Sequence, residues 1–223
     1  AHDPAGQIMR TILFAILVLS SLRTVAEEPA TPTGATLVEA LRAEGLPGAE
    51  PMLADSGGDI SAPPHYFAAL VEKPDSVMRL VLVRRDRSGQ HEVVARSAPI
   101  GGLRGSNFGF GVEVFRFSAP DRLELTLSAR ASCSRSLYTH RFALRQGRWH
   151  VTGLDVETPR CTAGGIEVDW TESANYLSGK TRRTTFTRTG GSRSTNSPAA
   201  RPPFPLAEFP PLGPEGIYRE MQP

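Results

Sequence analysis

Two alternating runs joined by a two-residue glycine turn constrain this chain more than any other feature. Leu137 to Leu144 and Trp149 to Val156 read as strands connected at Gln146-Gly147. A connection this short between runs with apolar side chains at every second position specifies an antiparallel hairpin. The turn also sets the register, since facing residues carry numbers totalling about 292 to 294 in a hairpin with so short a loop. Phe142 is then expected near Val151 and Leu144 near Trp149, aromatic and branched pairs that fix register and fill a core. The only two cysteines, Cys133 and Cys161, obey the same rule and are expected to meet at the open end of the hairpin, within the few ångströms a disulfide requires.

The rest of the middle of the chain continues the pattern. His65 to Val71 is an apolar run, and Val77 to Arg84 and His91 to Arg96 flank the turn Asp86-Arg87-Ser88-Gly89, which predicts another hairpin. Val112 to Phe117 is strand-like, and Leu123, Leu125 and Leu127 alternate with Glu124, Thr126 and Ser128, as in a strand with one buried and one wet face. Ile166 to Trp170 and Arg182 to Phe186 are weaker strands. The expected fold is mostly β, at the margin of α+β: a single antiparallel sheet or meander over residues 65–188 with one short N-terminal helix.

That helix is predicted over 37–44. Thr36 and Glu39 form a capping box, Leu37, Val38 and Leu41 give an apolar stripe, and Gly45 with Pro47 stops it,. The residues around it, 27–35 and 47–64, read as spacer and loop. Residues 189–223 form a tail whose first part, Thr189 to Pro203, is Ser/Thr/Gly/Pro with scattered arginines and lacks the apolar content to offset its ordering entropy. Phe204, Leu206, Phe209, Leu212, Ile217 and Tyr218 bring apolar side chains back within a Pro-rich frame, so a docked tail at 204–212 and a disordered one stand as equal expectations.

Near the start, Arg10 precedes the uncharged run Thr11 to Leu22, which leads to Thr24-Val25-Ala26. A basic start, an apolar middle and small residues at the end are the layout of a secretory signal over 9–26, with 1–8 as an upstream extension. The run is shorter than the ~20 residues a bilayer-spanning helix needs, so no stable membrane span is expected after cleavage. Export to the periplasm or beyond suits a disulfide. Removing residues 1–26 takes Arg10, Arg23 and Asp3 from 25 basic and 23 acidic residues, leaving 23 against 22. Such a balance excludes a protein whose affinity comes from neutralising nucleic-acid phosphates.

No reactive constellation stands out. The glycines of 101–111 lead into Val112-Glu113-Val114-Phe115, a strand rather than the helix a phosphate cradle needs. The histidines 65, 91, 140 and 150 lack metal-binding spacing, and His140, on the face of Tyr138 and Phe142, reads as a core residue. No serine sits in a GxSxG turn or an SxxK motif. Neither cofactor nor metal is expected. Asp155, Glu157, Glu167, Asp169 and Glu172 are close enough in sequence for paired carboxylate chemistry, although a solvated strand face explains them better. For recognition, Trp170, Tyr176 and Phe186 beside Arg182 and Arg183 are the expected surface, since aromatics and arginine dominate interface hot spots.

Three segments in order, Tyr138 to Gly153 with its aromatic-Arg-aromatic strand and Trp-bearing return strand, Asn175-Tyr176-Leu177-Ser178-Gly179-Lys180, and Pro205-Leu206-Ala207-Glu208-Phe209, resemble a class of exported bacterial β-rich proteins without an assigned activity. The chain departs from that pattern at Ser178, where threonine is the rule, and in its two cysteines. The resemblance implies export, a β domain and a docked Pro205–Phe209 segment, and it transfers no catalytic residue. With strands and turns well specified and reactive groups not, the expected function is a non-catalytic binding or interaction module of the envelope or secreted fraction, its partner left open, with another envelope protein as one candidate. The alternatives are a periplasmic hydrolase using the Asp155–Glu172 carboxylates and an inhibitor or immunity protein against an exported toxin.

Overall fold

The computed structural model describes residues 33–34, 36–43, 51–56, 64–72, 78–100, 110–131 and 134–209. The chain divides into two units, Ala1–Ala30 and Thr31–Pro223, and every described residue belongs to the second. The expected signal 9–26, the extension 1–8, the 101–109 loop, Cys133, and Leu212, Ile217 and Tyr218 lie outside the described residues.

In chain order the elements are β1 (Thr33–Gly34), α1 (Leu37–Ala43), β2 (Met52–Asp55), β3 (His65–Glu72), β4 (Met78–Arg85), β5 (His91–Arg96), β6 (Phe110–Ala119), β7 (Arg122–Ala131), β8 (Ser134–Arg145), β9 (Arg148–Thr162), β10 (Gly165–Asn175), β11 (Lys180–Phe186), β12 (Ser192–Pro198) and β13 (Phe204–Pro205), followed by a 3-10 turn at Leu206–Glu208. The fold is mostly β with one helix, as the alternation predicts. The strands divide between two antiparallel sheets, where the sequence suggests one. The smaller runs β1-β5-β4-β3-β2, and the larger runs β12-β11-β10-β9-β8-β7-β6 with β13 added on β9.

The central hairpin has the expected register, with Phe142 opposite Val151 and Leu144 opposite Trp149. Its turn holds Gln146 at φ 49° and Gly147 at φ 76°, the doubly left-handed conformation whose twist matches the flanking strands. Leu123, Leu125 and Leu127 are fully buried. Together with Tyr138, Phe142, Trp149 and Val151 they face Ala68, Leu70, Leu80 and Leu82 of the smaller sheet across one core. Trp149 anchors this layer, with Tyr66 edge-on at 5.5 Å and Phe117 at 6.0 Å.

The inner strands β3 and β4 of the smaller sheet are buried on both faces, which is why they are continuous apolar runs rather than alternating ones,. Ala69, Val71, Val81 and Val83 point away from the larger sheet and pack on Ala40 and Leu41 of α1. The capping box forms as expected: the Glu39 N–H donates to Thr36 Oγ1 at 3.2 Å and the Thr36 N–H to Glu39 Oε2 at 2.9 Å. The apolar stripe is Leu37, Ala40 and Leu41, while Val38 is exposed. A helix this short has no stability of its own and is held by that packing.

Three segments read as irregular contain strands. β1 lies at the end of the expected spacer and pairs with β5, and β2 lies inside the expected loop and pairs with β3. β12 occupies the low-complexity tail and pairs with β11 over its whole length. Beyond it the chain returns to the core: Phe204 pairs with Val151, and Phe204, Leu206 and Phe209 are all buried. Among the described residues no helix is long and apolar enough to cross a membrane.

Candidate functional site

The larger sheet is wider than the core beneath it. β12 is exposed at every position and no residue of β11 is fully buried, so β11 and β12, with the outer part of β10, overhang the smaller sheet. On the face away from the core, polar side chains form cross-strand rows. Arg116 bonds Glu124 at 3.1 Å, Glu124 stands opposite Arg141, and the Arg141 Nη2 donates to Asp155 Oδ1 at 3.0 Å and to the Ala174 carbonyl at 3.2 Å. Thr126 and Thr139 share a hydroxyl bond at 2.9 Å.

The rows end at an open hollow of about 390 Å³ bordered by Thr139, Asp155, Glu157, Thr171, Ser173 and Arg182. Register explains the convergence. Glu157 of β9 faces Thr171 and Asp155 faces Ser173, while Thr184 and Arg182 of β11 complete the same two rows. The lining combines hydroxyls, three carboxylates (with Glu172) and one guanidinium with the apolar side chains of Leu137 and Val156. Gly153 keeps one wall in place. A Cβ there would lie 2.8 Å from the Ala174 carbonyl and 2.9 Å from the Arg141 guanidinium. Gly153→Ala is expected to cost about 1–3 kcal/mol through overpacking and to push Arg141 off Asp155, readable as a lower denaturation midpoint.

The sequence-predicted surface separates into four environments. Trp170 is half-buried at the margin of the core, with the Arg183 guanidinium 4.2 Å above its ring, a cation–π stack on the core-side face of the overhang. Arg182 lies on the opposite face, exposed, its Nη2 donating to Ser194 Oγ at 3.3 Å. Tyr176 is buried in the core, 5.9 Å from Phe204. Phe186 sits at the far end of β11, where its carbonyl accepts from Arg160 Nη1 at 3.3 Å. The segment Asn175–Lys180 turns the chain from β10 to β11, with Asn175 Oδ1 accepting from the Leu177 and Ser178 N–H groups.

The carboxylates also separate. Glu167 and Asp169 both bind Arg160, at 3.1 and 3.0 Å, and the bond to Glu167, with that to Asp169, raises the Arg160 pKa above its ordinary value against a smaller opposing effect of desolvation. Asp155 is held by Arg141. Asp155, Glu157 and Glu172 border the hollow, and among the described residues no group of three or more His, Cys, Asp or Glu is arranged to hold a metal ion. Sequence reading missed the hydroxyls Thr139, Thr171, Ser173 and Thr184. Their signal was the polar alternation of β8 to β11, which says which side chains share a face but not that neighbouring strands bring them together.

Cys161 lies near the end of β9, opposite Ile166, and is not a free thiol. Set beside known proteins, the chain matches no family model, no curated protein and no solved structure. Its likeness to exported β-rich proteins rests on the three quoted segments alone.

Proposed function

We propose that this protein is an exported, non-catalytic interaction module that presents the overhang β9 to β12 to a partner in the cell envelope. The observation that carries this reading is the excess width of the larger sheet: β11 and β12 add regular structure that covers almost no core, and chain ordered at that entropic cost without burial has its use at a surface. Arginine pairing also argues for binding over hydrolysis. Three of the five carboxylates in the Asp155–Glu172 group are already engaged by guanidinium groups, which leaves no converging pair of them free to act on a substrate.

A photo-crosslinking amino acid at Thr171 or Thr184, inside the hollow, is expected to trap a partner in the cell that makes the protein. The same group at exposed Val38 on the helix is expected to trap none. No adduct from either overhang position would overturn the reading, as would equal adducts from all three. Export is supported by the Arg10 to Ala26 pattern, and it requires mature protein beginning after Ala26 in the periplasmic or secreted fraction. Full-length chain in the cytosol would refute it.

Export brings a Cys133–Cys161 disulfide with it. Facing residues from Leu137↔Glu157 to Arg141↔Gly153 carry numbers totalling 294, as the cysteine positions do. Closing that loop contributes roughly 3–4 kcal/mol in the chain-entropy account. Reduction is expected to lower stability by that amount, and peptide mapping without reductant is expected to recover the two cysteines linked. Recovery of both as free thiols would end the proposal.

A further inference from the structure

Of the sheet edges among the described residues, three are blunted. β1 and β2 are two and four residues long, and β6 carries two register shifts against β7. Short strands and bulges are the ordinary defences against edge pairing. β12 has neither. It runs seven residues, pairs with β11 one to one without a shift, and is exposed throughout.

The phase of its hydrogen bonds follows from the two ends of the ladder. The Thr187 N–H donates to the Gly191 carbonyl at 2.8 Å and the Ala199 N–H to the Gly179 carbonyl at 2.9 Å. Since bonded and non-bonded pairs alternate in an antiparallel ladder, Arg193, Thr195 and Ser197 turn their main-chain groups toward β11. Ser192, Ser194 and Asn196 turn theirs to solvent. Pro198 falls on the solvent side as well, where its missing N–H costs no ladder bond. The edge thus offers three consecutive outward donor and acceptor positions.

Charge selects the occupant. Between Glu172 and Glu208 the chain carries Lys180, Arg182, Arg183, Arg188, Arg193 and Arg201 and no acidic residue. Register sets Arg182 on the hollow side of the overhang, with Ser194 and Asn196, and Arg183 and Arg193 on the other side, with Thr195. A strand added to β12 therefore has Arg193 beside it on the core-side face, and Arg182 of β11 one strand further in on the hollow side. A second copy of this chain would bring the same cations against themselves. We propose that β12 receives an extended acidic segment of a partner protein as an added antiparallel strand, main-chain bonds supplying affinity and the flanking arginines selectivity. The proposal rests on the interaction-module reading and names its partner chemistry.

The test uses the mature chain and a labelled nine-residue peptide of alternating glutamate and valine. Binding is expected by fluorescence anisotropy, weakening at least tenfold in 0.5 M salt and at least tenfold when alternate peptide amides are N-methylated. A lysine-valine peptide is expected not to bind. Ser194→Pro removes the central outward N–H and leaves the main-chain ladder to β11 intact, and Ser194→Ala, which loses only the hydroxyl bonds to Arg182 and Thr184, is the control for the side chain. Ser194→Pro is expected to abolish binding without changing the melting temperature, and Arg193→Glu to weaken binding at least fivefold. Should Ser194→Pro disturb folding, Ser192→Pro and the N-methylated peptide make the same test. Equal binding of the N-methylated peptide, or of Ser194→Pro, overturns the proposal. So does inorganic polyphosphate binding that survives Ser194→Pro, which would assign the cations to phosphate. Self-association lost in Ser194→Pro would assign the edge to a second copy and overturn it too. If the edge fails while crosslinks at Thr171 and Thr184 persist, the module reading stands and only its partner is wrong.

Discussion

Replacing Phe209 with alanine is expected to lower the melting temperature by roughly 10–15 °C. Phe209 lies far from the strands that build the sandwich in sequence, yet it is 1% exposed. Its ring stands edge-on to Phe142 at 5.3 Å and to His140 at 4.8 Å, geometries that aromatic pairs favour beyond simple burial. Removing a buried phenylalanine side chain costs about 3–5 kcal/mol, because the cavity collapses only partly, and in a domain of this size each kcal/mol moves the midpoint by about 2–4 °C. Leu206, equally buried, should behave alike, and truncation before Phe204 should exceed either. Exposed Glu208 between them supplies the comparison: Glu208→Ala is expected to leave the midpoint within about 1 °C. A chain that melts normally without Phe209 would mean that the 204–209 segment is not docked in solution.

The docked segment also shows where the sequence is informative. Apolar residues at 204, 206 and 209 announce that something is buried, but nothing local says against what, since the receiving surface is β8 and β9, some 60 residues earlier. The central hairpin is legible to the level of individual pairs because its turn and its alternation impose the same register. Helix α1 is legible because capping is a local hydrogen-bond pattern, although which of Leu37 and Val38 turns inward depends on the sheet below. β12 is illegible for the opposite reason. Strand patterns are read from burial, and Ser192 to Pro198 buries nothing, so its order comes from main-chain bonds to β11. The division into two sheets is hidden for a similar cause, as alternation states that a strand has a buried face and not which strands share it. At the candidate surface, Trp170 and Arg183 could be paired from their spacing around a turn. The burial of Tyr176 could not, because its neighbour Phe204 comes from the tail.

Acid should destabilise this protein through one side chain in particular. His140 is 2% exposed on the core face of β8, and burial, with a smaller contribution from the charge of Arg201, lowers its pKa to about 3. Leu125 stands opposite it on β7 and Leu154 on β9, and Phe209 closes the remaining side. In the unfolded chain the same imidazole titrates near 6.5. Above that pH the residue is neutral in both states and makes no pH-dependent contribution. Below it the unfolded chain takes up a proton that the native state refuses, so stability falls by about 1.4 kcal/mol per pH unit until the pH reaches about 3. The whole loss is on the order of 5 kcal/mol. Denaturant titrations between pH 7 and 4.5 are expected to show that slope in the native sequence and to lose it in His140→Leu, whose side chain stays uncharged throughout. Phe209→Ala couples the two predictions. Opening the pocket to water eases protonation of His140 in the folded state, so the variant, weaker at neutral pH, is expected to lose less further stability on acidification. An unchanged slope in His140→Leu would place the acid sensitivity elsewhere, and an unchanged slope in Phe209→Ala would mean that the strands alone, without the docked segment, keep the imidazole dry.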